Sequence, residues 1–171
     1  DVVRRALASG VVAILCPADL TRAGSLSAIA GLALEFPTVL AAAGVHPHQA
    51  KDFDPGHIRE LGELAARGDI RAVGEIGLDF HYNFSPAGLQ QEALRAQLAF
   101  AEGAGLPAIL HSRLSGSDII AAVDGAGFRR GGILHCYTED WATARAMLER
   151  GFFISFSGIL TFPAAGELRE V

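Results

Sequence analysis

Ile70-Arg-Ala-Val-Gly-Glu-Ile-Gly-Leu-Asp79 decides the reading of the fold. Its apolar part, Ile70 to Ile76, has the length and residue types of a buried strand, and the segment runs into two carboxylates, Glu75 and Asp79. Five further runs of the same kind lie on either side: Val11 to Cys16, Val39 to Val45, Ala108 to His111, Gly132 to Cys136 and Phe152 to Ser157. Longer amphipathic segments separate them, and that alternation predicts βα units around a parallel sheet.

The helices carry their own punctuation. Ser85 is expected to cap a helix that opens at Pro86 and runs through Leu89, Leu94, Leu98 and Ala101 towards Gly105. Thr138 is expected to cap Glu139 to Arg150, with acids in the first turn and Gly151 beyond the last. Asp1 to Ser9 reads as a helix ending at Gly10, and Pro163 opens another over Ala164 to Val171. No linker or charge block interrupts the series, so residues 1–171 are expected to form a single domain.

Composition narrows the class. With 50% hydrophobic and 19% charged residues among 171, the chain has apolar material for a sizeable core. Its longest apolar runs fall short of the roughly 18 to 20 residues that span a bilayer. The first residues lack the pattern of a secretory signal, and a cytoplasmic location with no membrane contact is expected. A net charge of -5 argues against a broadly basic, DNA-coating surface, though not against an enzyme that meets phosphate through cations. Cys16 and Cys136 sit in strand-like runs and read as small buried thiols rather than as a disulfide or metal ligands.

The polar residues gather at the C-terminal ends of successive strands. His46 and His48 follow the second, Glu75 and Asp79 the third, His111 and Arg113 the fourth, and His135 the fifth. Parallel sheets and barrels build active sites at that end. One carboxylate and two imidazoles, Glu75, His111 and His135, make a donor set suited to Zn, Mn, Fe or Co. His57, at a helix start, and His81, in a loop, need no special role.

Five segments, Gly44-Val-His-Pro-His48, Gly74-Glu-Ile-Gly-Leu-Asp79, Pro107-Ala-Ile-Leu-His-Ser-Arg113, Gly132-Ile-Leu-His-Cys136 and Ser155-Phe-Ser-Gly-Ile-Leu-Thr-Phe162, resemble in order and spacing the signature segments of the TatD metal-dependent hydrolases. The resemblance implies a TIM-type (β/α)8 barrel of the metallo-dependent hydrolase superfamily, seen here as about six βα units. It implies deoxyribonuclease or 3'-5' exonuclease activity on DNA or another nucleic acid. Glu75 would bridge two divalent cations (Zn, Mg or Mn), with His111 and His135 holding one of them. His46 would act with Glu75 in catalysis, and His46, His48 and Arg113 would face substrate phosphate. Asp79 would orient Glu75 or a ligand from behind, or cap a turn. A carboxylate at position 75 favours this branch over relatives that cleave C–N bonds.

The chain departs from the family pattern at both ends, having no His-x-His strand upstream of His46 and no Asp after Asp140. The visible strands are therefore expected to be the second to seventh of eight, with no stable protein partner. The rival readings are a related metallohydrolase acting on a small ester or amide, and a truncated, non-catalytic fragment.

Overall fold

In the computed structural model, which describes residues 2–171, six strands form one sheet. They are β1 (Ile14–Asp19), β2 (Val39–Gly44), β3 (Ala72–Asp79), β4 (Ala108–Arg113), β5 (Gly132–His135) and β6 (Phe152–Ile154). All neighbouring pairs are parallel and the spatial order is the order of the sequence. Helices follow as the alternation predicts: α1 (Val2–Ala8), α2 (Ser25–Glu35), α3 (Pro55–Arg67), α4 (Ala87–Ala104), α5 (Gly116–Gly125), α6 (Trp141–Glu149) and α7 (Gly166–Glu170). Residue 1, with which the first expected helix was to open, lies outside the described residues.

Several boundaries differ from the reading of the sequence. The first strand starts three residues late and ends three residues late: Val12 is 85% exposed, pairing begins with Ile14 against Val39, and Pro17 sits within the strand. Proline is compatible with an edge strand, and β1 pairs with β2 alone among the described residues. The third strand runs on to Asp79, which is thus a strand residue rather than a loop residue. The last strand stops at Ile154, although Ser155 N–H still donates to the Leu134 carbonyl.

Two caps are also reassigned. Ser85 does not cap α4, because its hydroxyl accepts from Lys51 N–H and donates to the His48 carbonyl. Asp140, not Thr138, caps α6 by accepting from Thr143 N–H. Glu139 lies outside that helix since its carboxylate accepts from Ser112 Oγ and Ser115 N–H, stitching the turn after β5 to the one after β4. Both cysteines are free but only half-buried.

The core fills the space between sheet and helices. Ile76 and Leu78 of β3, Leu110 of β4 and Leu134 of β5 pack with Leu94 and Leu98 of α4 and Met147 of α6, all essentially without solvent exposure. Each such side chain contributes about 1.5 to 3 kcal/mol by leaving water. One close approach limits the sequence: Gly77 has φ +144°, and a Cβ there would be driven into the His111 carbonyl of β4. Only glycine permits β3 and β4 to pair there.

Gly77→Ala is expected to cost at least about 2 kcal/mol, whereas Gly103→Ala in α4, where a Cβ meets open space, should gain roughly 0.5 to 1 kcal/mol. Urea unfolding of the two variants reads both signs; equal and small effects would refute this account of the β3–β4 contact.

Candidate active site

Two buried amides of one helix set the backbone from which the site hangs. Gln90 and Gln97 lie seven residues apart, hence on one face of α4, and neither is exposed. Gln97 accepts from Val45 N–H at 2.7 Å and donates to the Val45 carbonyl at 3.2 Å, fixing the residue before His46. Gln90 does the same for Asp79, at 2.7 and 3.1 Å, and also donates to the Ser85 carbonyl. Each amide pairs with a peptide group that would otherwise be buried unsatisfied, an omission worth about 1 to 3 kcal/mol.

Asp79 is the hub. Its Oδ2 accepts from His48 Nε2 and from His111 Nε2, both at 2.9 Å. Its Oδ1 accepts from His81 N–H at 3.1 Å and Tyr82 N–H at 2.8 Å, so the carboxylate also caps the turn after β3. Burial pushes its pKa up, but the Tyr82 N–H and the two imidazoles outweigh that and hold it down at about 2. The roles expected of Asp79, orienting a ligand and capping a turn, are therefore served by different oxygens of one group.

With Nε2–H committed to Asp79, a neutral His111 turns the Nδ1 lone pair towards Glu75, whose Oε1 lies 3.3 Å away. Desolvation would lower the His111 pKa, but Glu75 and Asp79 on either side raise it overall. Glu75 is likewise pushed up by burial, yet the hydrogen bond that His111 donates once both its nitrogens are protonated, and the charges of His46, His111 and His135, bring it below the usual carboxylate value. The β3–β4 register slips between Val73 and Ile76, the irregularity that holds Glu75. Such bulges re-aim side chains beside active sites.

His46 points into the same place. Its Nδ1 accepts from His48 N–H at 3.2 Å, which leaves Nε2 as the protonated nitrogen of a neutral ring. Desolvation, only partly opposed by Glu75, takes its pKa down to about 4. His48 uses Nε2 on Asp79 and keeps Nδ1 as an acceptor.

Two groups of potential ligand atoms have every member within 4.8 Å of the others: His46, Glu75 and His111, and His48, Asp79 and His111. The second is already saturated by its own hydrogen bonds. In the first, Glu75 and the Nδ1 of a neutral His111 offer open lone pairs, whereas His46 offers one only if its proton leaves Nε2. His135 stands in register with His111 on the next strand, but its side chain is exposed and belongs to neither group; only its charge reaches Glu75. Arg113 ends β4 with its guanidinium over the Tyr82 ring, 5.4 Å from the centroid.

The sequence reading missed Asp19 and Arg22. With His46, His48, Gln49 and Glu75 they line a cavity of about 270 Å³. Asp19 became visible as a strand-end acid only once β1 had moved by three residues. His57, expected to matter little, accepts from Asp54 N–H in the capping box of α3.

Comparison with known proteins bears on this arrangement. The sequence profile of the TatD related DNases matches residues 1–171. The chain belongs to the TatD family. It is 36% identical over 138 residues to an uncharacterised metal-dependent hydrolase, YabD, of Bacillus subtilis, covering 80% of this chain and 54% of YabD. It is 34% identical over 173 residues to the 3'-5' ssDNA/RNA exonuclease TatD of Salmonella typhimurium, covering the whole chain and 66% of that enzyme. Among solved structures, the TatD homologue YJJV of Escherichia coli superposes with a TM-score of 0.87 at 29% identity, over 98% of this chain and 64% of that one. The chain thus spans about half to two thirds of the length of these TatD relatives. Its sheet is that of the metallo-dependent hydrolase TIM-barrel superfamily.

Asp79→Asn tests the hub through acid stability. A carboxyl whose folded pKa lies below its unfolded one stabilises the fold above the unfolded value, near pH 4, and loses that contribution as pH falls towards the folded value, about 2. The variant should be less stable than the parent by roughly 1 to 2 kcal/mol at pH 5 to 6, with the gap closing between pH 4 and 2. Urea titrations across that range check it; a gap that is constant with pH would contradict the assignment.

Proposed function

We propose that this protein is a divalent-metal-dependent phosphodiesterase that cleaves nucleic acid. The observation that carries the reading is the two-sided hold on His111, Asp79 at Nε2 and Glu75 facing Nδ1. A carboxylate behind an imidazole fixes its tautomer and increases its basicity, the usual support of a metal-binding histidine.

On this reading Glu75 and His111 would hold the divalent metal, with His135 of the next strand as a further imidazole donor. The donor set of one carboxylate and two imidazoles accepts Zn or Mn, and the carboxylate also suits a harder ion such as Mg. A cation there supplies Lewis acidity to a phosphoryl oxygen and makes water a competent nucleophile near neutral pH.

The chain's own groups then have definite tasks. His46, neutral with a proton on Nε2, is a donor rather than a ligand, and it polarises a phosphoryl oxygen without bringing a competing cationic charge beside Glu75. Arg113 offers its planar fork to the flanking phosphate. His48 buttresses the site through Asp79. Arg22, which lines the same cavity, adds a second cationic group for the strand.

Cleavage of a single-stranded oligonucleotide by the purified protein should be abolished by chelator and restored by Mn or Zn. Glu75→Gln and His111→Ala should each lower it by about 10² or more, His135→Ala should lower it too, and Cys16→Ser should leave it nearly unchanged. Chelator-insensitive cleavage, or turnover of small carboxylic esters with none of oligonucleotides, would overturn the reading.

A further inference from the structure

Beside the polar cluster lies an apolar surface that the core does not account for. The turn after β3 presents Tyr82 and Phe84 with 51% and 59% of their surfaces in solvent. Their rings are stacked, 5.4 Å between centroids and 16° between planes. Phe84 meets the His48 ring at 4.8 Å, and His48 meets His46 at 4.5 Å, so the aromatic pair is a single side chain away from the phosphate-facing imidazole. The Arg113 guanidinium lies against the Tyr82 ring, 5.4 Å from its centroid.

Resting on the function proposed above, we infer that Tyr82 and Phe84 are a stacking platform for a nucleobase of single-stranded nucleic acid whose adjoining phosphate sits at His46 and Arg113. Three features favour that occupant. An exposed aromatic face accepts any base, because each has a π-face and no edge need be read. A cationic side chain beside the rings matches the phosphate that accompanies every base. The platform is also rigidly placed: Asp79 Oδ1 accepts from Tyr82 N–H at 2.8 Å, and Asn83, at φ +51°, takes the left-handed conformation that turns Phe84 back beside Tyr82. The same carboxylate thus sets the position of His111 and of the surface on which the strand rests. Bases within a duplex already stack on one another, so a platform of this kind selects unpaired strands.

Steady-state cleavage of oligothymidylate is compared with cleavage of a fully abasic deoxyribose-phosphate oligomer of the same length. For the parent protein the abasic oligomer should show a KM raised roughly ten- to a hundredfold with kcat changed little. Tyr82→Ala/Phe84→Ala should raise KM for oligothymidylate by the same factor and leave the abasic oligomer unaffected, while Tyr82→Phe retains parental KM. Equal KM for the two oligomers with the parent protein, a measurement independent of any variant, would overturn the platform alone, as would an unchanged KM in the double variant. Failure of the parent protein to cleave either oligomer would overturn the proposed function and the platform with it.

Discussion

A single carboxylate with no solvent exposure, Asp79, is the constraint on which the arrangement rests. A carboxylate can accept about four hydrogen bonds, and all four positions are used: two by imidazoles from β4 and from the turn after β2, two by backbone amides of the turn after β3. Were it protonated or replaced, His111 would lose the partner that decides which of its nitrogens faces Glu75. The turn that displays Tyr82 and Phe84 would lose its cap at the same moment. Geometry and electrostatics reinforce one another here, because the donors that position Asp79 are also those that keep it ionised.

Behind Asp79 the helix α4 acts as a ruler. Its two glutamines, spaced by about two turns, fasten the backbone at Val45 and at Asp79, so that the turn bearing His46 and the end of β3 keep a fixed separation. The Gly77 contact holds β3 against β4 with no side chain between, which brings Glu75 and His111 within reach of each other. The apolar layer beneath supplies stability, and the polar layer above it determines which atoms point where.

Strand-end periodicity made the sheet legible in advance, and with it several of the residues that gather at its C-terminal edge. An apolar run closed by His or Glu is visible in one dimension, and His46, Glu75, Asp79 and His111 do converge. Asp19 escaped because Val11 and Val12 look like strand residues yet lie in an exposed approach to β1. Gln90 and Gln97 escaped because, set in the same stripe of α4 as Ala93, Leu94, Leu98 and Ala101, they read as polar breaks in it; only their partners, 11 and 52 residues away, reveal their task. Ser85 has the residue type of a cap, but long-range bonds take its hydroxyl and local pattern is blind to them, while Thr138 lies two residues before Asp140, which does the capping. The exposed position of His135, outside the cluster, depends on side-chain direction at the end of a four-residue strand, which residue order leaves open.

The central claim is that Asp79 dictates the tautomer of His111 and so leaves Nδ1 free for the proposed cation. Long-range proton–nitrogen correlation spectra of the imidazoles, recorded on the purified protein before and after adding Zn, test it most directly. The account requires the His111 Nε2 to carry its proton throughout and the Nδ1 resonance to shift when the ion is added. A shift at Nε2 with the proton residing on Nδ1 would contradict it.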